Sequence, residues 1–193
     1  MLTLAVTNTD DGSSDPDADI ISGLQAGDKT ALSKLMDRHM KTLYNQAYYM
    51  LGDSMAAEDI TQTVFLKTWE NINGWKSGNA KLLTWMRRVT TNACFDQLRK
   101  KKPVYTDIVP EIEDSADTPF DALSRQNQNK IIKAALQKLP DRQRAAVTLS
   151  YYQELTQKEG AGVMNITEKA YESLLVRGRK SLKLLLKESL KDI

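Results

Sequence analysis

The densest chemical signal in the chain lies between Thr156 and Lys180, in the segment TQKEGAGVMNITEKAYESLLVRGRK. Thr156, with Glu159 three residues on, makes a capping-box pair in which each side chain satisfies the other residue's free backbone N–H, so a helix starts there. Ala161 is small where two helices must cross closely, Asn165 tolerates the left-handed conformation at a helix end, and Ile166 supplies an apolar plug. Thr167 then caps a second helix. On it, Tyr171, Leu174, Leu175 and Leu182 form one stripe, while Lys169, Glu172, Ser173, Val176, Arg177 and Lys180 fall on the other side at spacings of three and four. The chemistry this pattern fits is DNA recognition by a helix-turn-helix, whose outer stripe, with Thr167 at its start, reads base edges in the major groove. Arg177, Arg179 and Lys180 are placed for phosphate contacts, which position a protein without reading sequence. A helical hairpin with a solvated charged face has the same pattern, and Gly160 and Gly162 weaken the first helix by about 1 kcal/mol each relative to alanine.

A second cluster stands earlier in the chain. Arg88, Asn92, Phe95 and Arg99 share one face of a helix that runs into the basic stretch Arg99, Lys100, Lys101, Lys102. Just before it a glycine-containing segment carries Trp75, Lys76, Asn79 and Lys81. An aromatic and polar amides on a loop can accept an unstacked base, because stacking contributes about 1 to 3 kcal/mol per base on single strands. Trp69 and Trp85 recur with other apolar residues and read as core; Trp75 fits either role.

No enzyme chemistry competes with these two clusters. The single histidine, His39, sits at helical spacing and reads as a structural, partly buried residue, and the single cysteine, Cys94, as a small packing residue without a CxxC partner. There is no phosphate-binding glycine loop, nucleophile elbow or paired-carboxylate site. The sequence therefore predicts a non-enzymatic protein with neither cofactor nor metal. A net charge of +2 is too mild to announce nucleic-acid binding by itself, but it is unevenly spread. Asp10, Asp11, Asp15, Asp17 and Asp19 precede any basic residue. With no signal peptide and no apolar run able to span a bilayer, the expected location is the cytoplasm, without membrane insertion.

The elements that must position these residues are helical. Glycine (9) and proline (5) are scarce in 193 residues and no alternating apolar pattern suggests a sheet. Residues 1–18 form an acidic leader expected to be disordered. A short helix with Ile20, Ile21 and Leu24 follows; a longer one carries Leu32, Leu35, Met36, Met40, Leu43 and Ala47 to Gly52. A third bears Ile60, Val64, Phe65, Trp69 and Ile72, and a fourth runs from Lys81 with Leu82, Met86, Val89 and Ala93 buried. Residues 103–120 hold Pro103, Pro110 and Pro119 among acidic residues, a linker signature. Helices resume over 121–193, one of them started by Pro140. The fold class is thus all-α, two small helical domains, 19–102 and 121–193, joined by a flexible linker.

The blocks AEDITQTVFLKTWENI (57–72), LLTWMRRVTTNACFDQLRKKK (82–102), ALQKLPDRQRAAVTLSYYQELTQKE (135–159) and ITEKAYESLLVRGRKSLK (166–183) resemble the extracytoplasmic-function sigma factors of bacterial RNA polymerase. The resemblance implies that 19–102 corresponds to sigma region 2 and 121–193 to region 4. It implies docking of Asp59, Gln62, Phe65 and Leu66 on the clamp helices of the polymerase β′ subunit, and contact of region 4 with the β flap. It further implies capture of the melted minus-ten element by the Trp75–Lys81 segment and the Asn92 helix, reading of the minus-thirty-five element by the helix from Thr167, and an anti-sigma factor released by stress as regulator. The chain departs from the family pattern at Thr63, where an acidic residue is common, at Gly160, Gly162 and Asn165, and at Glu172, where a basic residue often meets DNA. Promoter elements about 17 base pairs apart lie roughly 58 Å apart, and a linker of about 18 residues reaches roughly 60 Å extended. Two other readings stay open: a helix-turn-helix regulator that binds operator DNA without polymerase, and a sigma mimic that sequesters an inhibitor. The DNA-facing charge of Arg99 to Lys102, Arg177 and Arg179 counts against the mimic.

Overall fold

The computed structural model describes residues 15–76, 80–100 and 131–189, and all regular structure among them is helical. Four helices build the first unit: α1 (Ala18–Gln25), α2 (Lys29–Leu51), α3 (Ser54–Asn71) and α4 (Leu82–Lys100), with a single 3₁₀ turn, Ile72–Gly74, after α3. Each start has a local cause. The Asp28 carboxylate accepts the Thr30 N–H at 2.8 Å to cap α2, and Asp53 accepts the Ala56 N–H at 3.1 Å to cap α3. The α2 helix stops at Gly52, whose φ of 72° is the left-handed C-terminal conformation that glycine adopts without strain. Leu35, Leu43, Ala47 and Met50 of α2 are fully buried against α3 and α4, where Val64, Leu82 and Met86 meet them.

The second unit contains the helical residues 131–137 (α5), then α6 (Asp141–Tyr151), α7 (Gln157–Met164) and α8 (Glu168–Ser189). Pro140 stands one residue earlier than the sequence places it, as the extended N-cap of α6, so that Asp141 opens the helix. Within this unit α6 and α7 both pack on α8. The buried residues of the two units join into one cluster, because α2 and α4 pack against α6 and α7.

The seam between the units is polar and aromatic. Tyr49 of α2 stacks on Tyr152 after α6, ring centroids 3.7 Å apart. Gln153 donates to the Thr42 carbonyl at 3.1 Å and Gln137 to the Tyr49 carbonyl at 3.0 Å. Lys133 bonds the Tyr48 hydroxyl and lies 4.2 Å from the centre of its ring. Burial raises the Tyr152 phenol to about 12, with Tyr49 adding to the effect.

The acidic leader needs a correction at its end. Residues 1–14 lie outside the described residues, but Asp15 to Asp17 are tied into the fold. Asp17 is buried, its carboxylate 2.7 Å from Arg38 Nη1 and 2.8 Å from His39 Nε2. A carboxylate with two cationic or N–H partners inside the protein is a structural element, not a solvated tail. The 103–120 linker also lies outside the described residues.

Candidate nucleic-acid interface

The turn between α7 and α8 is built as its residue types require. Glu159 N–H bonds Thr156 Oγ1 at 3.3 Å, and the Glu159 carboxylate accepts the Thr156 N–H at 2.9 Å and its hydroxyl at 2.7 Å. These bonds hold the Glu159 carboxyl below the usual range against the opposing effect of burial, with the charges of Arg87 and Lys81 adding to them. Asn165 takes φ 53°, ψ 49°, and the N–H groups of Asn165 and Ile166 return to the carbonyls of Gly162 and Ala161. Thr167 Oγ1 accepts the Ala170 N–H at 3.2 Å and opens α8.

Gly160 is a packing requirement, not a weakness of α7. A Cβ there would stand 2.3 Å from Tyr171 Cζ and 2.4 Å from its hydroxyl. The missing side chain lets the fully buried Tyr171 ring cross beneath α7 and donate its O–H to the Ala146 carbonyl at 3.0 Å. Burial raises that phenol to about 12, Arg179 opposing. One ring thereby fixes α8 to α6 and α7 together. Gly178 serves the α6 crossing in the same way, since a Cβ would come within 2.8 Å of Val147 Cγ2.

With Tyr171 and Leu175 turned inward, Thr167, Lys169, Glu172, Ser173, Val176, Arg177 and Lys180 are all exposed. Val176, 58% exposed, puts an apolar contact amid the polar ones. Arg177 is pre-set on this face: its Nε donates to the Ser173 carbonyl at 3.1 Å and its Nη2 to Ser173 Oγ at 3.0 Å. Arg179 instead leans on α6, its guanidinium 5.1 Å from the Tyr151 ring centre and its Nη2 3.4 Å from Ser150 Oγ.

On α4, Asn92 and Arg99 are exposed, while Arg88 and Phe95 are half-buried beside them. Arg99 pairs with Asp96 at 2.8 Å on the surface, an exchangeable contact of small energy. Trp75 is half-buried and meets Trp85 edge to face, centroids 6.1 Å apart. It is therefore seated on the helix rather than projected from it. Lys76 is exposed, Lys81 half-buried next to α4, and Asn79 lies outside the described residues.

On α3, Asp59, Gln62 and Leu66 share an exposed stripe, Leu66 at 63% exposure. Phe65 needs correction as a surface contact: it is 4% exposed and packs in the core beneath that stripe, because position 65 continues the buried row of Ala57, Ile60, Thr61 and Val64. Beside the stripe a groove of about 800 Å³ between α2 and α3 is lined by Met36, Met40, Tyr44, Glu58 and Gln62. His39 is the structural residue its spacing predicts, paired with Asp17. Cys94 is fully buried near Arg144, and burial raises its thiol to about 12, an inert state. Among the described residues no helix is long and apolar enough to cross a membrane and no acid, histidine or cysteine cluster could hold a metal.

Sequence reasoning missed Asp15, Gln25, Arg87 and the Tyr49–Tyr152 pair. Each acts through contacts distant in sequence, and no local spacing signals them.

The described residues thus form a helix-turn-helix unit set on a four-helix unit that carries a second polar helix face. Residues 35–104 match sigma-70 region 2 and residues 129–182 match sigma-70 region 4. The ECF RNA polymerase sigma factor SigW of Bacillus subtilis is 30% identical over 179 residues, covering 87% of this chain and 95% of that protein. The ECF RNA polymerase sigma factor SigM of the same organism is 28% identical over 165 residues, 83% and 98% of the two chains. The fold is also that of CnrH in its complex with the cytosolic domain of CnrY (TM-score 0.69, 21% identity, 90% of this chain and 99% of that one). It is likewise shared with the sigma factor RpoE from Bartonella quintana, solved with the anti-sigma factor NepR (TM-score 0.64, 21% identity, 80% and 96%). The chain belongs to the ECF RNA polymerase sigma factors.

Proposed function

We propose that this chain binds core RNA polymerase in the cytoplasm, directs it to specific promoters and helps to melt the minus-ten element, with 19–102 acting as the region-2 domain and 121–193 as the region-4 domain. The observation that carries this reading is the pair of polar helix faces, on α4 and α8, left exposed in one chain whose core is otherwise closed. Thr167, Lys169, Glu172, Ser173, Val176, Arg177 and Lys180 read the upstream duplex. Arg88, Asn92, Phe95 and Arg99, with Trp75, Lys76, Asn79 and Lys81, take the melted strand. Asp59, Gln62 and Leu66 meet the β′ clamp helices, Phe65 backing them from the core, and region 4 meets the β flap. Anti-sigma control follows by analogy with the RpoE complex with NepR. Such a factor needs no catalytic group of its own, since the polymerase performs the chemistry.

Run-off transcription with purified core polymerase tests the proposal: initiation at a promoter from the source genome is expected, and failure both to bind core and to initiate would overturn it. Asn92→Ala should slow promoter opening more than closed-complex binding. Arg177→Ala should weaken the upstream footprint, roughly tenfold if one charge-assisted phosphate or base contact is lost.

A further inference from the structure

The edge assigned above to the minus-ten strand is anchored at both ends by the N-terminal part of the chain. At one end Gln25, the last residue of α1, donates its side-chain amide to two carbonyls, Ile72 and Trp75, both at 3.1 Å. At the other end Asp15 Oδ2 accepts the N–H of Leu82, the first residue of α4, at 2.7 Å. Asp15 is itself fixed, its Oδ1 accepting the Asp17 N–H at 2.9 Å. Asp17 is locked by Arg38 and His39, and Arg38 also donates to the Pro16 carbonyl at 3.1 Å. The bonds from Gln25 to Ile72 and Trp75 and from Leu82 to Asp15 span 47 to 67 residues of sequence, so they set tertiary position and not local conformation.

We propose that Asp15 and Gln25 are positioning residues for strand capture: Gln25 sets the backbone of Trp75 and Asp15 sets the first turn of α4, so that Trp75, Lys81 and Arg88 are held in one arrangement before DNA arrives. The proposal rests on the function assigned above and adds to it the residues that preorganise the site. Physically, a surface that must accept an unstacked base loses affinity for every degree of freedom it freezes on binding. Trp75 shows why outside anchoring is needed. Its indole N–H is buried without an acceptor among the described residues, so none of them orients the ring by a hydrogen bond to that group. Its position comes from the edge-to-face contact with Trp85 and from its own carbonyl held by Gln25. The Asp15 carboxylate, besides accepting the Leu82 N–H, is a negative group at the positive end of α4, which stabilises the helix start. The chemistry of the two anchors is opposite: Gln25 must donate and Asp15 must accept.

That opposition supplies the test. Full-length Asp15→Ala, Asp15→Asn, Gln25→Ala and Gln25→Glu proteins are assembled with core polymerase on a promoter carrying 2-aminopurine in the minus-ten element. Opening rate, closed-complex binding and thermal unfolding are measured, with amide exchange over residues 72–85 of the free proteins. Both alanine variants should open the promoter roughly tenfold more slowly and exchange faster over 72–85, with closed-complex binding and unfolding temperature near wild type. Asp15→Asn, whose single amide oxygen can replace only one of the two acceptors that hold Leu82 and Asp17, should open more slowly than wild type and no more slowly than Asp15→Ala; Gln25→Glu, which cannot donate to a carbonyl, should be as slow as Gln25→Ala. Opening unchanged in the alanine variants, equal loss in closed-complex binding, or Gln25→Glu opening as fast as wild type would each overturn the positioning role. If wild type itself opens no promoter while the exchange differences hold, the functional assignment fails and the anchors are structural only.

Discussion

Glycine at position 160 costs α7 about 1 kcal/mol of helix propensity relative to alanine, yet the Tyr171 ring occupies the space a Cβ would need. Gly160→Ala must therefore push the whole ring, not a flexible tip, and endanger its bond to Ala146. Overpacking of this kind costs about 1 to 3 kcal/mol, which outweighs the propensity gain. Urea denaturation should show Gly160→Ala less stable than wild type; a more stable variant would mean the ring moves freely. Asp17 contributes to stability in a pH-dependent way. Burial opposes its ionisation, but the hydrogen bonds and charges of His39 and Arg38 prevail and hold its carboxyl below the ordinary value. Because the folded value lies below the unfolded one of about 3.9, the contribution is complete above that pH and is lost as pH falls through the lowered value. Asp17→Asn should be less stable near neutrality by about 1 to 3 kcal/mol and should flatten the acid limb of the stability curve. An acid limb identical to wild type would remove Asp17 from it.

Among the elements, the α7–α8 pair was the most legible in the sequence, since its caps, turn residue and apolar stripe are all local signals that need only neighbours three or four positions away. Thr156→Ala removes one half of a reciprocal cap and should cost about 1 kcal/mol. The loss should appear as faster amide exchange at the start of α7, with α2 and α3 unchanged; uniform exchange across the chain would contradict it. What local spacing did not reveal has a common physical origin. The family resemblance sets Phe65 beside Asp59, Gln62 and Leu66 as a docking residue, yet the helix turn carries it under that stripe with the apolar row of Ile60 and Val64. Gly160 looks like a poor helix former because its partner, Tyr171, comes from the next helix. Asp15 looks like part of an acidic tail because Leu82, which it caps, is 67 residues away. Periodicity assigns a residue to a face, and only the packed fold says what stands opposite.

For the whole molecule, the arrangement of the two units conflicts with simultaneous use of both DNA faces. Here α4 packs on α7 and α7 on α8, so with helix pairs 8 to 10 Å apart the α4 and α8 axes are separated by roughly 20 Å. Promoter elements about 17 base pairs apart stand roughly 58 Å apart along the duplex. The units must therefore part for one chain to contact both. What holds them is the apolar cluster they share where α2 and α4 meet α6 and α7, with an aromatic stack worth about 0.5 to 1.5 kcal/mol beyond its buried area and side-chain amides on backbone carbonyls at about 1 kcal/mol each. To part the units, a partner must bury enough surface of its own to offset this seam. With dyes at the exposed positions Ser22 on α1 and Lys187 on α8, energy transfer should fall when core polymerase is added. The double variant Tyr49→Ala, Tyr152→Ala should show lower transfer without polymerase and bind a minus-thirty-five duplex and core no less tightly than wild type, because the closed state then competes less. Transfer that stays high in the polymerase complex would show that the closed form itself engages the promoter, and the distance argument would then require a bent or shortened DNA path between the two elements.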